Sequence, residues 1–144
     1  MNLMTTQQKQ REFALSLRMT HPEIDLQALC DLIELVPWKC HLAGEVRKTE
    51  DGRLLGGIHK QSFCTCRFEL DEGASLEAAI NNTLDLLESK RKEIVDMTSS
   101  GGEMHFFIGW FFEGTAGMVL DWKTLRRMCD LEISFQLDAY GAFL

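Results

Sequence analysis

Proline is scarce: only Pro22 and Pro37 occur in 144 residues, both in the first third, so no proline-rich linker divides the chain. There is a single tyrosine, no internal repeat and no low-complexity stretch. No run approaches the ~18 apolar residues of a membrane-spanning helix. The polar opening from Met1 to Arg11 lacks the apolar centre of a signal peptide, which sets a cytoplasmic expectation and argues against a membrane partner. Basic residues are the minority, 15 against 22 acidic ones, for a net charge of −7. Such a chain repels phosphate backbones at long range, which argues against nucleic acid and favours basic partners. Five cysteines cannot complete an intrachain disulfide framework, and four of them sit in segments that resemble core elements, so reduced, buried thiols are expected. A P-loop lysine, a dinucleotide fingerprint, an EF-hand pattern and paired acid/base carboxylates are all missing.

What is present is ordinary globular composition, 45% hydrophobic and 26% charged. The length suits one domain, expected over 11–144 after a flexible lead-in at 1–10. Alternation predicts strands over Glu12 to Met19, Ser62 to Leu70 and Glu132 to Tyr140, and a segment apolar on both sides predicts a central strand over Glu103 to Glu113. Three-and-four spacing predicts a helix over Glu23 to Leu35, ended by Pro37, with Asp25 or Thr20 as N-cap. A long helix is expected from the N-cap Ser75 to about Met97, carrying a Glu88–Lys92 pair and stopping at Gly101-Gly102. A third begins at Asp121 and runs to Leu131, with Leu120 and Leu125 as a hydrophobic staple. Glu50 to Arg53 is a hairpin turn, while Trp38 to Lys48 has no firm pattern beyond a short strand. Each strand has one strongly apolar and one mixed side. The predicted fold is therefore an α+β two-layer sandwich, a mainly antiparallel sheet with helices on one face, loosely ferredoxin-like.

The ordered series His21-Pro22-Glu23-Ile24-Asp25, Trp38 with Gly44 and Arg47, Leu55-Gly56-Gly57, the Ser75 helix, Gly114-Thr115-Ala116-Gly117, and Leu137-Asp138 resembles the bacterial domain of unknown function 4279 proteins. The likeness covers almost the whole chain. It implies a small bacterial cytosolic protein and supplies no activity. Where such proteins commonly carry an aromatic pair in the second clear strand, this chain has Phe63 followed by Cys64-Thr65-Cys66.

Four kinds of side-chain chemistry are worth weighing. Cys40, His41, Cys64 and Cys66 are zinc-type ligands, but adjacent Cys40 and His41 point opposite ways in a strand, and Cys64-x-Cys66 is not a zinc knuckle. Packing thiols are the simpler reading, with no metal or cofactor. A thiol–His105 dyad fails because the partners fall on opposite strand faces. His21, His41 and His59 sit in presumed turns, where a solvated or capping role is the default. The Gly114-x-x-Gly117 loop could cradle an anion, but Glu113 and Asp121 flank it, which favours a plain turn.

Two surfaces remain. The mixed sheet face gathers Phe63, Arg67, His105, Phe107, Phe111 and Tyr140, with Arg18, Glu69 and Asp138 among them, as a candidate interaction face. Trp38 with Lys39, Arg47, Lys48, Arg53 and His59 forms a basic cluster, a candidate small-anion site whose alternative is a solvated hairpin. The expectation is a non-enzymatic protein-interaction module, of immunity type or self-associating as a homodimer, with no catalytic residues assigned. The alternatives are an anion-binding domain or enzyme near Trp38, Arg47 and His59, and a zinc-binding protein.

Overall fold

Period-two patterning becomes a five-stranded sheet. The computed structural model describes residues 13–71 and 73–142, so the expected lead-in at 1–10 lies outside the described residues. In chain order the elements are β1 (Phe13–His21), α1 (Leu26–Leu32), β2 (Lys39–His41), β3 (Val46–Lys48), β4 (Leu54–Ile58), β5 (Ser62–Phe68), α2 (Leu76–Leu87), a 3-10 turn (Glu88–Lys90), α3 (Arg91–Ser99), β6 (Glu103–Glu113), α4 (Trp122–Asp130) and β7 (Ile133–Ala142). The main sheet has the order β2-β5-β1-β6-β7, while β3 and β4 form a separate hairpin. All pairs in the main sheet are antiparallel except β6 with β7, which the α4 crossover joins in parallel.

One core lies between sheet and helices. Leu15, Leu17 and Met19 of β1, Cys64 and Cys66 of β5, and Met104, Phe106 and Ile108 of β6 pack with Leu26, Cys30, Ile80, Leu84, Ile94 and Met128 from the four helices. All these strand residues share one parity, so the helices cover one face, as the alternation predicts.

The helix ends follow local chemistry. Asp25 accepts the Gln27 amide and Ser75 accepts the Ala78 amide, both as N-caps. At the end of α3 the Gly102 amide donates to Met97 O and the Gly101 amide to Thr98 O, a Schellman closure with Gly101 at φ +110. Asp121 occupies the N-cap position of α4, yet its side chain makes no capping bond; its own amide donates to Glu77.

Several local expectations need correcting. The regular part of α1 is Leu26–Leu32, shorter than the Glu23 to Leu35 pattern, because Glu34 turns left-handed at φ 60 and closes it. The long helix is broken by the 3-10 turn, which no proline or glycine signals. Glu88 reaches across to Arg127 rather than along its helix to Lys92, which pairs with Asp96. Leu120 packs on the core, but Leu125 is exposed, so the staple does not close. On β7 only Ile133 of the inner series is buried. No helix of the described residues is long and apolar enough to cross a membrane.

Candidate functional site: the open face of the sheet

The second face of the sheet has no helix over it among the described residues. Register places its side chains in rows. His41, Phe63, Thr20 and Glu103 lie side by side, and next come Lys39, Thr65, Arg18, His105 and Ser134. Arg67, Ser16, Phe107 and Gln136 form the third row, and Phe111 with Tyr140 lies beyond. All six residues expected on the interaction face are therefore on this face. Glu69 is not: it follows the end of β5, because the strand stops at Phe68.

Cations and rings are interleaved here. The Arg18 guanidinium carbon sits 3.6 Å from the Phe107 ring centre, and that of Arg67 sits 3.2 Å from the Trp38 ring centre. Lys39 Nζ approaches the same indole at 4.6 Å and Glu50 at 3.9 Å. Among the described residues, neither Arg18 nor Arg67 has a carboxylate within ion-pair distance. Arg18 Nε and His105 Nε2 are buried without a hydrogen-bond partner. Burial holds His105 below its usual imidazole range, and the neighbouring Arg18 charge lowers it further. Phe111 and Tyr140 stack at 5.0 Å and are each about half exposed.

The β3–β4 hairpin stands beside this face. His59 at its base stacks on His41 with ring centres 3.5 Å apart, and His41 stacks on Phe63 at 5.5 Å. Burial, and then the charge of His59, lower His41. The hairpin turn closes through the Gly52 amide to Thr49 O, with Gly52 at φ 90, as Asp-Gly predicts. Every residue of β3 and β4 is exposed, including the apolar Val46, Leu54, Leu55 and Ile58.

The proposed anion cluster is divided by this arrangement. Trp38 lies under Arg67, and His59 is taken up by His41. Among the described residues Arg47 reaches only the Gly56 carbonyl, and Arg53 bonds Thr49 through its backbone at the hairpin turn. The zinc set is divided more sharply. Cys40, Cys64 and Cys66 face the helices while His41 faces the open side, since neighbours on a strand alternate. Among the described residues no group of three or more His, Cys, Asp or Glu could hold a metal ion.

Sequence patterning missed two things. Cys30 of α1 joins the β5 thiols, which no spacing signals across helix and strand. The Arg18–Phe107 stack needs the β1–β6 register. His21 is a capping residue: its Nδ1 accepts the amides of Glu23 and Ile24, and its Nε2 meets Ser100 Oγ at 2.9 Å. The expected capping role for a turn histidine thus holds at His21, the buried last residue of β1.

Residues 11–142 match the family described as Domain of unknown function (DUF4279). No curated protein and no solved structure matches the chain.

Proposed function

The chain belongs to the domain of unknown function 4279 family, and we propose that it is a non-enzymatic protein-interaction module whose open sheet face holds an acidic segment of a partner protein. The observation that carries this reading is the pair of ring-stacked arginines, Arg18 on Phe107 and Arg67 on Trp38, with no carboxylate partner among the described residues. Stacking fixes the guanidinium plane and leaves its donor fork available, which suits bidentate capture of a carboxylate. His105 lies beside Arg18 and Lys39 beside Arg67, while the carboxylates of this face, Glu103 and Asp138, lie in other rows and Glu50 pairs with Lys39. Two unpaired guanidinium groups on an otherwise acidic protein orient an incoming acidic segment.

Apolar contact would come from Phe63, Phe107, Phe111, Tyr140 and the exposed aliphatics of the hairpin arm. An isolated two-stranded hairpin gains little from its own burial, so its exposed Leu54 and Ile58 suit a partner's surface. The two stacked arginines, unpaired among the described residues, favour an acidic segment over a basic toxin as the occupant of this part of the face.

The test is an array of acidic twelve-residue peptides probed with tagged protein, followed by titration of the best binder at two salt concentrations. The reading expects saturable, salt-weakened binding that falls at least tenfold in the Arg18→Ala, Arg67→Ala double variant without loss of folding. A blank array, or binding indifferent to both arginines, rejects it. Citrate competing as well as the peptides would instead mark a small-anion site.

A further inference from the structure

The two edges of the sheet differ in kind. One is β2, three residues long, with Lys39 in it and Pro37 just before it, both of which discourage pairing with another strand. The other is β7, ten residues long and, among the described residues, paired along its length with β6 on one side only. Between Ile133 and Ala142 it has no lysine, arginine or proline, and its one charge is Asp138. Phe135 and Leu137 point to the helix side, yet they remain 36% and 38% exposed beside the buried Ile133. A long, regular edge with unpaired backbone groups and half-exposed apolar side chains is a template for another strand.

We propose that β7 pairs antiparallel with β7 of a second copy of this chain, joining two five-stranded sheets into one. The two-fold axis passes at Gln136, and the alternatives are worse on inspection of the sequence. An axis at Asp138 sets the two aspartates opposite each other, and an axis at Phe135 pairs only Ile133 to Leu137, half of the strand. Like charges directly opposite are destabilising. An axis at Leu137 leaves Phe135 against Ala139, with little apolar contact. At Gln136, Phe135 meets Leu137 of the partner subunit in both directions, and Asp138 meets Ser134 of the partner subunit. This register keeps helix faces with helix faces, so the two open faces lie on the same side as one doubled platform.

Edge pairing of this length buries less than the ~1,200 Å² of a standard interface, so the dimer is reversible in the micromolar range. The test is sedimentation equilibrium of the full chain across micromolar concentrations, with circular dichroism melts to verify folding. The expected species is two chains of 16.5 kDa each. Ser134→Asp places like charges opposite at both symmetric positions and weakens the dimer about fivefold; Ser134→Lys places opposite charges there and strengthens it about fivefold. Ser134 is exposed, so both variants keep the fold. A monomer throughout the range, or a dimer that does not move in opposite directions in the two variants, overturns the proposal.

Discussion

The Sγ atoms of Cys30 and Cys64 lie 3.3 Å apart in the interior, one on α1 and the other on β5, with Cys66 Sγ 3.9 Å from Cys30. All five cysteines are free thiols, three of them fully buried, Cys40 half-buried and Cys129 exposed. Contacts with Cys30 and then Cys66, followed by burial, push the Cys64 thiol up, away from the reactive thiolate. In the native protein a thiol reagent is expected to modify Cys129 quickly and Cys40 more slowly. The other three should wait for unfolding. Counting released chromophore with and without urea checks this, and fast reaction of more than two thiols in the native state would contradict it.

His21 links the start of α1 to the end of α3, across 79 residues, through its three hydrogen bonds. His21→Ala leaves the amides of Glu23 and Ile24 without their acceptor. A loss of about 1–3 kcal/mol is expected, measured as a lowered urea midpoint with unchanged slope.

Gly102 is a second tight point. A methyl group on its Cα would fall 2.8 Å from Met97 O and 2.9 Å from Thr20 O, both backbone atoms. Gly102→Ala must therefore shift the α3–β6 junction and is expected to cost about 1–3 kcal/mol, whereas Gly117→Ala meets nothing within 4 Å and is expected to melt like the parent.

Acid sensitivity follows from the open face. His105 and His41 are held below the usual 6.5, each first by burial and then by a neighbouring charge, Arg18 and His59 respectively. Above 6.5 neither state binds these protons and the stability is complete. As pH falls through 6.5 the unfolded chain takes up protons that the native one refuses, so stability declines until the folded values are passed. Urea midpoints measured from pH 8 to 5.5 should fall below about 6.5, with a shallower slope in His105→Gln. A flat profile would contradict the assignment.

Arg127 ties α4 to α2 and the 3-10 turn, with Asn81 Oδ1 at 2.7 Å, Asp85 at 2.6 Å and Glu88 at 2.8 Å. Its partners are largely solvated, so Arg127→Ala is expected to cost about 1 kcal/mol. The difference should shrink in molar salt, which thermal melts at two ionic strengths would show.

Alternation alone settles which strand residues face the helices, because a one-residue slip would exchange every side chain between core and water. It thereby also settles that Phe63, Arg67, His105, Phe107, Phe111 and Tyr140 share the open face, and that Cys40 and His41 part company. Caps at Asp25 and Ser75 are equally local, since a side-chain oxygen two or three residues from an amide needs no distant help. Pairings between elements were beyond reach of the pattern. That Cys30 meets Cys64, that Arg18 lies on Phe107, that Arg127 takes Glu88 from Lys92, and that β2 and β7 form the sheet's edges all depend on strand order and helix placement. Those are chosen by how the whole apolar surface packs into one core, a sum over the entire chain that no short window of residues contains.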